Sequence, residues 1–203
     1  MGNLGPAVHP FQIMSLDTIG GFAGRRSTKQ YLYLLIDHFT RYVYTLTLRN
    51  QTASESIKLI EVNSENPIET LSTELWGSLI SIEFKDYWED KEIIHIIMAV
   101  DSVFRTGLKE RTNQTFVNRI RCRHNRKEND KAWCTIVLRS VKEFNSAPHS
   151  SAGSAPNYLL NGIGDEIVSG ELAKPSDLLQ DRKVASERSP KVHKKNKKYH
   201  DKN

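Results

Sequence analysis

From Phe11 to Asp17 the chain alternates: Phe11, Ile13, Ser15 and Asp17 fall on one side, Gln12, Met14 and Leu16 on the other, and Gly20-Gly21 ends the run. A period of two predicts a strand whose end presents Asp17. Residues 22–29 are a polar, glycine-containing connection, and Tyr31 to Ile36 is then continuously apolar, as in a strand buried on both faces. A turn over Asp37 to Arg41 leads into Tyr42 to Leu48, rich in aromatic and β-branched side chains. These three strands in succession read as a meander.

Beyond Asn50-Gln51-Thr52 the period lengthens. Ala53, Ser56, Ile57 and Ile60 share a helical face that Asn66-Pro67 stops; Ile68 to Thr73 is a short strand ending at Glu74. Ile80, Phe84, Tyr87 and Trp88 return to helical spacing, and Ile93 to Val100 reads as a buried strand. From Ser102, a good N-cap residue, a long helix is expected to about Arg123, with Leu108, Thr112, Phe116 and Ile120 along its packed row and Glu110 on roughly the opposite side, toward a cleft. A further amphipathic helix carries Trp133, Ile136, Val137, Ser140, Val141 and Phe144, and a loop rich in Ser, Ala and Pro leads to Tyr158-Leu159-Leu160 and a stop at Asn161-Gly162. Hydrophobic periodicity fades after 163. The order β-β-β-α-β-α-β-α-α predicts an α/β fold in three layers around a five-stranded mixed sheet. The expected division is a linker at 1–7, one domain at 8–162, and a basic tail at 163–203, flexible or helical.

Charge adds a partner to this picture. The net charge is +5, yet residues 181–203 carry nine Lys or Arg against three acids, and residues 105–127 carry eight against Glu110 alone. An otherwise acidic body with two basic segments suits a polyanion, since clustered cations gain from counterion release on nucleic acid; a solvated charged face is the plainer alternative. No apolar run is long enough for a membrane span, and no secretory leader is visible, so an intracellular protein is expected. Cys122, His124 and Cys134 match no standard zinc spacing, and no structural zinc is expected.

The candidate chemistry lies in three carboxylates: Asp17 at a strand end, Glu74 at another, and Glu110 on a helix, with thirty-five residues between Glu74 and Glu110. Hard divalent cations take oxygen ligands of this kind, and two of them about 3.5–4 Å apart can serve phosphoryl transfer. Further motifs stand around these residues: Leu16-Asp17-Thr18, Ile36-Asp37-His38-Phe39-Thr40-Arg41, Thr73-Glu74 with Gly77 and Glu83-Phe84, Gly107 to Thr115, Trp133, and Phe144-Asn145 through His149, Gly153 and Pro156 to Leu159-Leu160-Asn161-Gly162. In this order they resemble the catalytic core of retroviral and LTR-retrotransposon integrases, particularly the gypsy-like branch, in the ribonuclease H-like superfamily. The resemblance covers about residues 8–162.

The resemblance implies a polynucleotidyl transferase of DNA integration that uses two Mg²⁺ or Mn²⁺ ions held by Asp17, Glu74 and Glu110, with DNA as partner, a homodimer or higher oligomer, and work in the nucleus. Lys109 and Arg111, with Asn113, Gln114, Arg119, Arg121 and Arg123, would hold DNA; Asn113 and Gln114 could instead orient Glu110. Asp37 reads as structural, fixing the turn into the third strand. The family carries Asp where this chain has Glu74 and usually Asn where it has Thr106. It also has a His-His-Cys-Cys zinc domain before the core and a folded DNA-binding domain after it, and neither is expected within these 203 residues. One extra methylene moves a carboxylate by about 1.5 Å, so impaired turnover is expected. A non-catalytic DNA-binding module derived from an integrase is the alternative, and hydrolysis of RNA–DNA hybrids a third possibility.

Overall fold

The structure, a computed structural model, describes residues 6–20, 28–62, 66–75, 77–98, 103–125, 132–163 and 177–188, with side chains over 112–123 of the long helix. The side chains of Leu108, Lys109, Glu110 and Arg111, residue Ser102, and the basic run Lys191 to Lys198 lie outside the described residues.

Strands β1 (Ile13–Ile19), β2 (Tyr31–Asp37) and β3 (Val43–Leu48) form the expected meander, followed by α1 (Ala53–Glu61), β4 (Thr70–Glu74), a 3-10 turn (Gly77–Ile80), α2 (Ile82–Asp90), β5 (Ile94–Met98), α3 (Val103–Asn125), α4 (Trp133–Ser146) and α5 (Pro156–Asn161). A further helix, α6, spans 178–188. The sheet order is β3-β2-β1-β4-β5. The first two junctions are antiparallel, whereas β1–β4 and β4–β5 are parallel, because helical crossovers return the chain in the same direction.

Two apolar layers sandwich this sheet. On one face Met14, Leu16, Tyr33, Leu35 and Leu71 pack with Leu59 and Ile60 of α1 and Phe84 of α2. On the other, Leu32, Leu34, Ile36 and Val43 pack with Phe116 and Ile120 of α3 and Trp133, Ile136 and Val137 of α4. Central strands covered twice account for the unbroken apolar run of β2. Helix starts follow side-chain chemistry: Thr52 accepts from the Glu55 amide at α1, and Ser81 from the Phe84 amide at α2.

The Ser81 cap also corrects the expectation for Ile80, which sits before the helix in the 3-10 turn and is exposed, leaving Leu79 as the buried residue there. The strand read as buried over Ile93 to Val100 is likewise an edge strand, paired only with β4 among the described residues; Ile94 is 62% and Ile97 47% exposed. Its isoleucines suit a pleated surface that is only partly covered.

The turn after β2 is built on Asp37, which is fully buried. Its Oδ1 accepts from the Phe11 and Phe39 amides at 3.2 and 3.3 Å, and Oδ2 from the Thr40 amide and hydroxyl at 3.0 and 2.5 Å. Burial pushes this carboxyl up, against hydrogen bonds from Thr40, Phe39 and Phe11 that pull it down. Phe11 (φ 63) and Arg41 (φ 71) both sit in the left-handed region, and Asp37 holds each, through its side chain at Phe11 and its backbone carbonyl at Arg41.

Candidate functional site

β1 and β4 are adjacent parallel strands in register, Ser15 opposite Ser72 and Leu16 opposite Thr73. The next positions along each are Asp17 and Glu74, on one face; Glu74 ends β4, whereas β1 runs on to Ile19 along β2, so Asp17 lies just past the last β1–β4 pair and not at the strand end that its sequence suggests. Here the strand order also reverses, since the chain steps from β1 to β2 and β3 on one side and then crosses to β4 and β5 on the other. Open α/β sheets bind ligands at the carboxyl ends of strands at such a switch. Asp17 pairs with Leu34, whose side chain faces the α3–α4 layer, so Asp17 looks toward α3.

Helix α3 closes the site from above. Thr112, Phe116 and Ile120 are buried along its inner row, as their spacing predicts. This seats Asn113 over the end of β1, where its Nδ2 donates to Asp17 Oδ2. The other carboxylate oxygen accepts from the Thr18 amide at 2.8 Å. Asp17 is only 6% exposed, and Glu74 is half-buried. Glu110 precedes Asn113 by three residues on the same helix, which sets its backbone position about 60° round the axis and one short turn earlier. The helix thus brings the backbone of the third acidic position to the end of the sheet where Asp17 and Glu74 stand.

These donors suit a hard cation. Asp17 and Glu74 offer carboxylate oxygens, and Oδ1 of Asn113 is a buried oxygen without a hydrogen-bond partner among the described residues. Hard divalent ions select oxygen-only sets of this kind. Imidazole is absent from this set: His95 bonds the Thr73 hydroxyl at 2.9 Å on the opposite face, beside Phe84 and Trp88, and burial lowers its pKa.

The basic positions divide. Gln114 and Arg121 are exposed on the outer face of α3. Arg119 lies over the Phe144 ring at 5.8 Å, and Arg123 donates to both Glu143 oxygens at 2.5 Å, so these two tie α3 to α4. Sequence reasoning named no partner for two residues that build the frame. Asn145 exchanges two hydrogen bonds with the backbone of Val43, at 3.0 and 2.9 Å, closing the edge of β3 as a strand would. His38 reaches Ser15 in β1.

No family model and no curated protein matches the sequence. Solved structures do. A chain of the simian T-cell lymphotropic virus intasome in complex with the PP2A regulatory subunit B56 gamma superposes with a TM-score of 0.68 at 16% identity, over 86% of this chain and 62% of that one. The chain thus spans less than two thirds of that relative. The HTLV-2 integrase catalytic core domain in complex with magnesium gives 0.60 at 16% identity in its trimeric form and 0.59 at 17% in its dimeric form, over 73% of this chain and 95% and 94% of those. The fold, a five-stranded mixed sheet flanked by helices, is therefore the ribonuclease H-like fold of retroviral integrase catalytic cores.

Proposed function

We propose that the chain acts as an integrase-type core that binds DNA and carries out polynucleotidyl transfer with two Mg²⁺ or Mn²⁺ ions, working as a dimer or higher oligomer in the nucleus. The observation that carries this reading is the placement of Asp17 and Glu74 side by side just past the last paired residues of the adjacent parallel strands β1 and β4, under a helix that seats Asn113 on Asp17. Asp17, Glu74 and Glu110 would hold the cations. When bound, these supply an activated attacking oxygen and stabilise the leaving one. Asn113 orients the Asp17 carboxylate, and burial of Asp17 keeps water from competing for it. Lys109, Arg111, Gln114 and Arg121 would hold phosphates along α3, while Arg119 and Arg123 keep that helix on α4. The HTLV-2 core is described with magnesium, which supports the choice of metal. Descent from a gypsy-like retrotransposon remains part of this proposal, motivated by the motifs between Leu16 and Gly162.

Strand transfer, or its reversal on a branched DNA, tests the reading in Mn²⁺ and Mg²⁺. Activity lost in Asp17→Asn is expected. Glu74→Asp should raise Mg²⁺-supported turnover by on the order of 100-fold, because misplacement near 1 Å costs about that much and Mg²⁺ demands near-ideal octahedral geometry. Salt-dependent DNA binding that ignores EDTA and Asp17→Asn, with no transfer before or after Glu74→Asp, would instead identify a non-catalytic binding module.

A further inference from the structure

Two residues below the paired carboxylates, on the same face, Ser15 and Ser72 stand opposite each other in the β1–β4 register. Their hydroxyls are 2.8 Å apart, and both residues are buried. His38 completes the chain, its Nε2 lying 2.5 Å from Ser15 Oγ. His38 is itself fixed, because its amide donates to the Ile13 carbonyl at 2.9 Å and it follows Asp37 in the turn that Asp37 organises. Either neutral imidazole tautomer satisfies the chain: Nε2–H donates to Ser15, which donates to Ser72, or Ser72 donates to Ser15, which donates to Nε2.

Both serines are buried on a face that also carries Asp17, Thr70 and Glu74, and a hydroxyl pair there is directional where apolar contact is not. From this placement we infer that the His38–Ser15–Ser72 chain positions the Asp17 and Glu74 carboxylates for cation binding. The three are positioning residues, and the inference rests on the functional reading above. Each serine sits two residues before its carboxylate, where the backbone ladder already holds β1 beside β4, so the side-chain clamp adds a directional restraint on the face from which the two carboxylates project. Partners that orient ligands in this way commonly change metal affinity by about 10–100-fold when removed.

Mn²⁺ binding to the full chain, followed by calorimetry and by the paramagnetic signal of bound Mn²⁺, tests the inference without relying on turnover. The wild-type chain should take up Mn²⁺ in a manner abolished by Asp17→Asn. Ser72→Ala, which deletes one oxygen, should weaken uptake by about 10-fold, and Ser15→Ala together with Ser72→Ala should do little more than either alone, because both break one chain. The far-UV circular dichroism of the metal-free variants should match wild type. Unchanged Mn²⁺ affinity in folded Ser72→Ala overturns the clamp while leaving the site intact. Absence of any Asp17-dependent Mn²⁺ uptake in the wild type overturns the functional reading and the clamp with it. Should Ser72→Ala fail to fold, His38→Ala at the half-buried end of the chain carries the same test, with weakened uptake supporting the clamp and unchanged uptake refuting it.

Discussion

At the scale of single residues, Asp37 holds more of the fold than any residue of the candidate site. Its carboxyl collects four hydrogen bonds in a fully buried position and secures Phe11 at positive φ, while its backbone carbonyl holds Arg41. Asp37→Asn removes half of the acceptor capacity and turns an amide N–H toward donors, so we expect a loss of about 2–4 kcal/mol in denaturant melts, with the fold retained. A melt within error of wild type would refute this role. Its structural role was legible, because Asp at a strand end before a tight turn has few other uses. Asp17 and Glu74 were proposed from spacing and from the resemblance, and their adjacency became visible only with the register of β1 and β4. The duties of Asn145, Ser15, Ser72 and His38 were not legible, since each depends on a partner brought close only by sheet pairing. Asn113 lay between the two cases: the helix placed it near the site, but its bond to Asp17 needed the crossing of α3 over β1.

At the scale of elements, helical periods were read more reliably than strand burial. The α3 row Thr112, Phe116 and Ile120 and, in α4, Trp133, Ile136, Val137, Ser140 and Phe144 are buried as their spacing requires, with Val141 half-buried beside them, whereas β5 looked central and lies at the edge. A run of isoleucines does not say whether a second layer covers it. β5 nevertheless contributes through His95, which packs against Phe84 and Trp88 of α2 and bonds Thr73 beside Glu74. Burial lowers the His95 pKa, so the unfolded chain binds the proton more readily than the folded one. Its contribution to stability is therefore full above about pH 6.5 and is lost as the pH falls through the lowered folded value. Thermal melts of wild type should weaken below that pH more steeply than those of His95→Gln, and parallel curves would remove His95 as a cause. On the other face, Phe116→Ala should cost about 3–5 kcal/mol, since a fully buried aromatic ring between α3 and the sheet is lost. Because the same contact seats Asn113, Mn²⁺ uptake should weaken alongside stability.

At the scale of the whole molecule, the segment after 163 is more than a carrier of charge. Its composition offered no hydrophobic period, yet α6 lies against α5 and the start of the chain, with Ala185 buried among Ala7, Ile13, Phe39, Ala152 and Leu159. Sequence periodicity could not report this, because the helix is held mainly by polar contacts and one small residue. Asp181 accepts from the Tyr158 hydroxyl at 2.6 Å, and Arg182 donates to the carbonyls of Leu159 and Leu160, both at 2.7 Å. Those carbonyls belong to the last turn of α5, which ends at Gly162 in the left-handed conformation (φ 72), so Arg182 brings a cation to the negative end of that helix. Ile13 begins the strand that carries Asp17 four residues on, and the cluster therefore braces the start of β1. Arg182→Ala should cost about 1–3 kcal/mol by removing two charge-assisted hydrogen bonds. Ala185→Glu should cost at least as much, because its carboxylate has no room in an apolar cluster. At about 2–4 °C per kcal/mol for a chain of this size, both should lower the melting temperature by several degrees. If both variants melt with wild type, α6 does not brace β1, and residues 178–188 add nothing to the stability of the core.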